Sequence, residues 1–373
     1  MKDNSYLQFL RYSLDEVQEL PESAKSIDWK AMMAWAERQS IVGIIFGGIQ
    51  KADKASEIPF EVLMKWIGDA NLIENRNKLL NNRCVEVVEY FRTEGFESCI
   101  LKGQGNAILY DVRGKKEDGR SLALLRTPGD IDVWVRPKSD VRCKKEDVKR
   151  VIWFAREKNP RAKACYHHVD YGAFNGVEVE MHYRPSFMFN PLHNNHLQRW
   201  LMVHGEGFMV DLPEGAGKIQ IPNWEFNIIF QLSHVYNHLL HEGIGLRQLV
   251  DYYYLLRSDG RSKMDDVSNT LRYLGLDKIA GAMMWMLNEV LGLPEEYLIA
   301  PKDEKRGKIL LTEIMKGGNL GHYDAENQKA NSAIKRNLQR IKRDMRMMRY
   351  FPSECMWEPV FRVYHYFWRQ KYK

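Results

Sequence analysis

Gly129-Asp130-Ile131-Asp132-Val133-Trp134-Val135 alternates two carboxylates with apolar side chains. A β-strand repeats every two residues, so Asp130 and Asp132 project from one face while Ile131, Val133 and Val135 anchor the other in a core. Two carboxylates side by side on a buried strand repel each other and are costly to desolvate. A hard divalent cation such as Mg²⁺, which takes oxygen ligands, removes both costs. An edge strand with a wet polar face has the same pattern, so the neighbouring sequence must decide.

Downstream, the runs from Tyr166 to Phe174 and from Val177 to Tyr183 flank Asn175-Gly176, the favoured pair for a type I′ hairpin turn. In the second run Glu178, Glu180 and His182 share one face, and Val177, Val179 and Met181 share the other. This predicts a second acid-bearing strand able to lie beside the first. Upstream, the short apolar run Ser98-Cys99-Ile100-Leu101 meets Lys102-Gly103-Gln104-Gly105 and a helix-like stretch from Asn106 to Tyr110. Glycine there lets backbone N–H groups approach phosphate oxygens, and Lys102 adds a cation. Arg126 suits either a phosphate or a carboxylate partner. Residues 111–125 form a charged, glycine-containing insertion, expected to be a mobile loop able to cover the site.

Asp130, Asp132 and a third carboxylate on a neighbouring strand make a tripod for two divalent metals. Such ions sit about 3.5–4 Å apart and clamp the attacking and leaving oxygens of a displacement at phosphorus. Glu180 is assigned as the third metal ligand, able also to orient an acceptor hydroxyl as a general base, with Glu178 its rival. Asp130, Asp132 and Glu180 are thus the candidate catalytic and metal residues.

The order Leu101-Lys102-Gly103, Tyr110, Arg126, Gly129-Asp130-Ile131-Asp132 and Glu180-Met181-His182 resembles nucleotidyltransferases of the DNA polymerase β-like superfamily. More narrowly it is similar to a bacterial group of uncharacterised nucleotidyltransferases, over roughly residues 25–300. The resemblance implies an α+β fold: a small mixed β-sheet core over 96–222, flanked by helical regions at 1–95 and 223–373. It also implies an NTP substrate, Mg²⁺ or Mn²⁺, and nucleotide contacts from Lys102, Gly103, Gln104, Arg126, His182, His234, His238, Arg247 and Asp251. Departures are visible too. The turn is Lys-Gly-Gln where the superfamily has Gly-Gly or Gly-Ser, the insertion lengthens the path to Asp130, and glutamate replaces aspartate as the third acid. A catalytically weak or inactive nucleotide- or RNA-binding protein on the same fold is therefore the alternative to an active transferase.

Composition bounds these readings. With 45% hydrophobic and 28% charged residues over 373 positions, the chain has an ordinary globular balance. The longest apolar stretch, Ile41 to Ile49, is too short for a bilayer, and the polar N-terminus carries no secretory signal, so a cytoplasmic location without membrane insertion is expected. Five scattered cysteines give neither a disulfide framework nor a Cys-x-x-Cys zinc site. A net charge of +6 permits phosphate-bearing partners.

Helical spacing organises the rest. Ser26 is expected to cap a helix bearing Trp29, Met32, Met33 and Ala36, and Pro59 to precede a long helix ending near Gly95. After Pro160 and the hairpin, helix resumes at Trp224. His234, His238 and His241 lie on one face of that helix. Histidines at this spacing can chelate zinc, but no cysteine or clean fourth ligand accompanies them. His167 and His168 alternate, so at most one is expected to face the carboxylates. Over 329–349, Lys329, Lys335, Arg336, Arg340, Lys342, Arg343, Arg346 and Arg349 flank the stripe Ile334, Leu338, Ile341, Met345 and Met348. That pattern predicts a helix with a basic outer face, read first as a solvated charged surface, with RNA contact as the sharper alternative. The aromatic tail from Trp357 to Trp368 is expected to pack on the core or a partner. The acceptor is left open among small molecule, protein and RNA.

Overall fold

A computed structural model of the chain describes residues 2–14, 19–52, 57–111, 121–138, 144–241, 243–258, 264–319 and 333–372. The N-terminal helices are α1 (Lys2–Leu14), α2 (Trp29–Gln39), α3 (Val42–Lys51) and the long α4 (Phe60–Thr93). The cap of α2 is Asp28, which accepts the Ala31 N–H, and not Ser26. A capping oxygen must reach an amide two or three residues into the helix. Ser26 is too early for that and bonds Ser23 O instead. Along α4, Trp66 and Ala70 join a core with the N-terminal helices, while Leu80, Cys84, Val87 and Phe91 pack under the sheet. One helix thereby ties two hydrophobic cores together.

The sheet contains β1 (Phe96–Ile100), β2 (Ile131–Pro137), β3 (His168–Phe174) and β4 (Val177–His182), in the order β1-β2-β4-β3. β2 runs parallel to β4, and both outer pairs are antiparallel. Asn175 and Gly176 both have positive φ (47° and 83°), as a type I′ turn requires. Two-residue alternation sorts the faces. Ile131, Val133, Val135, Val177, Val179 and Met181 bury against the second half of α4 and against α6 (Lys144–Lys158). Asp132, Trp134, Glu180 and His182 therefore point the other way. Between β1 and β2, a short α5 (Gln104–Ala107) follows the Lys-Gly turn. The end of the predicted loop is a packed turn: Leu122–Leu125 is a 3₁₀ segment held where Asn77 donates to Leu124 O and Arg126 O. Residues 112–120 of that insertion lie outside the described residues.

Two elements were not expected from the sequence. α7 (Pro191–Val203) is capped by Asn190, and β5 (Gly207–Asp211) pairs with β6 (Lys218–Pro222) as a separate ribbon. The remaining helices are α8 (Trp224–His241), α9 (Leu246–Arg257), α10 (Met264–Tyr273), α11 (Asp277–Trp285), α12 (Glu304–Gly317), α13 (Ala333–Met348) and α14 (Pro352–Lys371). Apolar side chains of α8 to α12 share one core with α1 to α3.

The C-terminal helices pack on the molecule only in part. On α13 the apolar residues Leu338, Ile341 and Met345 face solvent, while Asp344 and Met347 are buried. The helix rests on the edge next to its apolar stripe, because Asp344 sits among Glu358, Arg362 and Arg343. The basic face is thus interleaved with exposed apolar side chains. Lys329 and the side chains of Ile334, Lys335 and Arg336 lie outside the described residues. On α14 Trp368 is buried and Phe361 half-buried, but Tyr364, Tyr366 and Phe367 are exposed. Among the described residues, no helix is long and apolar enough to cross a membrane.

Candidate active site

The parallel pairing of β2 with β4 sets Asp132 directly opposite Glu180. Asp130 stands one residue before β2, on the exposed end of the 127–130 loop, and so not on the strand itself. Asp130, Asp132 and Glu180 nevertheless converge, each offering a carboxylate oxygen within 4.8 Å of the other two. Glu178, the rival third acid, is exposed near the hairpin tip and takes no part in that cluster.

The Lys-Gly turn closes onto the same spot. Leu101 N–H donates to Asp132 O (3.0 Å), which locks the turn to β2. Gly103 adopts φ 62° and ψ −111°, a conformation that is open in practice only to glycine. The turn delivers Lys102 Nζ to 3.0 Å from Asp132 Oδ1 and 3.3 Å from His234 Nε2. Burial works against the Lys102 ammonium, but Asp132, Asp130 and Glu180 outweigh it and raise its pKa. Gln104 behaves differently from expectation. Its amide points into α4, donating to Asn81 Oδ1 (2.5 Å), and it does not line the cavity.

Among the described residues, seven histidines line a cavity of about 500 Å³ around this cluster: His167, His168, His182, His234, His238, His241 and His365. That volume is in the range of small-molecule sites, which span about 300–1,000 Å³. His182 Nε2 is 2.9 Å from Asp132 Oδ1 and 3.4 Å from Glu180 Oε2. His168 Nδ1 is 3.4 Å from Glu180 Oε2. Burial disfavours the Glu180 carboxylate, yet His182, His168 and Lys102 together bring its pKa down to about 2. Burial and the neighbouring cationic groups hold His167 and His234 well below the usual imidazole range, so both rings are neutral.

Both His167 and His168 line the cavity, and His168 is the one that reaches a site carboxylate, Glu180. β3 begins at His168, so strand alternation does not govern His167, which turns back to meet His168 (Nε2 to Nδ1, 3.0 Å). The sequence gives no local signal for His365. It arrives from α14, where its Nε2 accepts the Tyr166 N–H (3.1 Å).

Arg126 is committed to a carboxylate. Its Nε and Nη2 donate to the two Asp251 oxygens (2.7 and 2.8 Å), and Tyr110 OH donates to Asp251 Oδ1 (2.7 Å). Arg247 Nη1 donates to Thr127 O (3.1 Å), steadying the loop that carries Asp130. Arg126, Arg247 and Asp251 all line the cavity, and their hydrogen bonds converge on residues 126–130. His238 stacks edge-on against His234, with ring centroids 4.3 Å apart.

A small mixed sheet with acids on two adjacent parallel strands, a third acid one residue before, and a lysine turn locked beside them is the core of a nucleotidyltransferase. The chain belongs to the uncharacterised nucleotidyltransferase family, whose model matches residues 25–292. No curated protein and no solved structure matches it.

Proposed function

We propose that the protein transfers a nucleoside monophosphate from an NTP to an acceptor hydroxyl or phosphate and releases pyrophosphate, with Mg²⁺ or Mn²⁺ held by Asp130, Asp132 and Glu180. The observation that carries this reading is the three-carboxylate cluster with the Lys102 ammonium lodged in it. Three converging oxygen donors fit a hard divalent ion, and the lysine already marks the place as one that wants positive charge. When bound, the cation supplies charge neutralisation for the triphosphate and orients the reacting oxygens.

Phosphoryl chemistry depends on positioning and charge more than on covalent help, so the chain's own groups have simple tasks. The acceptor oxygen forms a bond to the α-phosphorus, the bond from that phosphorus to the oxygen bridging the β-phosphate breaks, and the proton of a hydroxyl acceptor leaves to solvent or to the released pyrophosphate. Lys102, on its glycine-dependent turn, steadies the negative charge of the leaving pyrophosphate. His234, neutral and next to the lysine, accepts from the ammonium and fixes its direction. A base held at about 2 is too weak to take a proton usefully near neutral pH, so Glu180 serves as a fixed charge and not as the general base. Arg126, Asp251, Tyr110 and Arg247 act one layer out by holding the 126–130 loop.

The acceptor side is assigned to the C-terminal hairpin of α13 and α14, which brings Phe361, Arg362 and His365 to the cavity wall. Its exposed basic and aromatic side chains favour RNA. The direct test is incubation with each labelled NTP, Mg²⁺ or Mn²⁺, and cell extract. Label is expected on one acceptor class and lost in Asp130→Asn and Asp132→Asn. Labelling retained in both variants overturns the assignment, and tight ATP binding without pyrophosphate release identifies a binding module instead.

A further inference from the structure

Beside the three carboxylates lies a second group of donors of different chemistry. His168 Nδ1 and His182 Nε2 each stand 3.4 Å from Glu180 Oε2, and all three residues offer ligand atoms within 4.8 Å of one another. A tetrahedral zinc ion with metal–ligand bonds of about 2.0–2.1 Å has ligand–ligand edges of about 3.3–3.4 Å, so both of these edges already have that length. Two imidazoles and a carboxylate are a poor set for Mg²⁺, which prefers oxygen, but suit Zn²⁺ and its neighbours.

The surroundings are also those of a metal site. His168 turns its other nitrogen, Nε2, to Asp170 Oδ1 (3.1 Å). A carboxylate behind a ligating histidine fixes the ring and makes the facing nitrogen a better donor. Asp132 Oδ1, 2.9 Å from His182 Nε2, supplies a further oxygen within reach. The sheet register produces all of this. Glu180 and His182 share one face of β4, and His168 is the register partner of His182 across the hairpin.

We propose that His168, Glu180 and His182 form a transition-metal site, with Zn²⁺ the fitting ion, that shares Glu180 with the carboxylate cluster. The cavity then holds two cation sites of different preference, oxygen-only at Asp130–Asp132–Glu180 and imidazole-rich at His168–Glu180–His182. The proposal needs only these side chains and does not depend on nucleotidyl transfer.

Cobalt(II) is the probe, because its visible absorption reports imidazole ligation directly. The full-length protein, without nucleotide, is titrated with Co²⁺ in the presence of a large excess of Mg²⁺. The expected result is one equivalent of Co²⁺ with a ligand-field band that Zn²⁺ displaces and Mg²⁺ does not. His168→Asn and His182→Asn each lose the band, Asp130→Asn keeps it, and Asp170→Asn weakens affinity about tenfold. His182 is fully buried, so His168→Asn, at a half-buried position, carries the test if the His182 variant fails to fold. Absence of the band, its removal by Mg²⁺, or its survival in a folded His168→Asn overturns the proposal. No transfer is read in this titration, so its failure leaves the proposed function standing, and the reverse holds too.

Discussion

The Arg126 guanidinium and the Asp251 carboxylate meet end on, both buried, with Tyr110 adding a further hydrogen bond to Asp251. Breaking a buried pair strands one charge without a partner, which costs about 3–5 kcal/mol. Asp251→Asn is therefore expected to lose stability of that order in urea unfolding at neutral pH. The pH dependence follows from the direction of the shift. Burial opposes the Asp251 charge, but Arg126 overrides it and lowers the pKa. A carboxyl depressed in the folded state contributes stability that is fully present above its unfolded value of about 3.9 and is lost as pH falls through the folded value. The gap between wild type and Asp251→Asn should thus narrow as unfolding is repeated below about pH 4; a gap independent of pH would exclude the charge pair as its source. Lys102 gives a prediction of another kind. Lys102→Met keeps the length of the side chain but removes the ammonium that the proposed reaction aims at the leaving pyrophosphate. Loss of one such group costs about 10²–10³ in kcat, to be read by pyrophosphate release.

The β3–β4 hairpin transmits sequence into site geometry most directly. Gly176 has φ +83° and no atom within 4 Å of where a Cβ would stand, so Gly176→Ala adds backbone strain alone. That substitution should cost about 1 kcal/mol and lower the thermal midpoint, while Co²⁺ and nucleotide binding persist at the native register. The turn, the two strand faces and the strand from Ile131 onward, though not Asp130 as part of it, were legible because alternation and Asn-Gly chemistry are local. The convergence of Asp132 on Glu180 needed the parallel register, and His365 needed tertiary packing, so neither had a local signature. α7 and the β5–β6 ribbon were missed because residues 183–223 give no strong period of either kind. α13 misled for a related reason. Its stripe at helical spacing is sound, but the helix leans on Asp344, whose carboxyl is raised to about 7 by burial and by Glu358. A carboxyl raised in the folded state destabilises progressively as pH climbs from its unfolded value of about 3.9 to its folded one. Asp344→Asn should therefore stabilise the protein above pH 7, by about 1–2 kcal/mol, and have little effect near about pH 3, where the carboxyl is mostly protonated in both states. Equal effects at both pH values in thermal unfolding would rule out a buried ionisation.

Charge and family membership divide the molecule unequally. The family match ends at residue 292, before α12, α13 and α14. Residues 333–373 hold eleven lysines and arginines against three acids, a balance of +8 in a chain whose total is +6. All three acids, Asp344, Glu354 and Glu358, are buried, so the charge this segment shows to solvent is positive. Its exposed Trp357, Tyr364, Tyr366 and Phe367 lie among those cations, and α14 also forms part of the cavity wall. Cations interleaved with aromatic faces bind single-stranded nucleic acid, the first through phosphates and the second by stacking. Under the proposed function, it is this part of the chain, outside the family match, that is assigned to the acceptor. Fluorescence anisotropy with a labelled single-stranded RNA should show affinity that falls linearly in log–log plots against salt. Replacing Lys342, Arg346 and Arg349 together by glutamine should flatten that slope by roughly 0.7 for each phosphate no longer neutralised. Tyr364→Ala with Phe367→Ala should weaken binding by about 1–3 kcal/mol per base unstacked while leaving the slope unchanged. Separation of the two effects is the signature of a surface that reads backbone charge and base faces independently. A slope insensitive to the cationic substitutions would mean that the hairpin does not hold RNA, and that the acceptor reaches the carboxylates by another wall of the cavity.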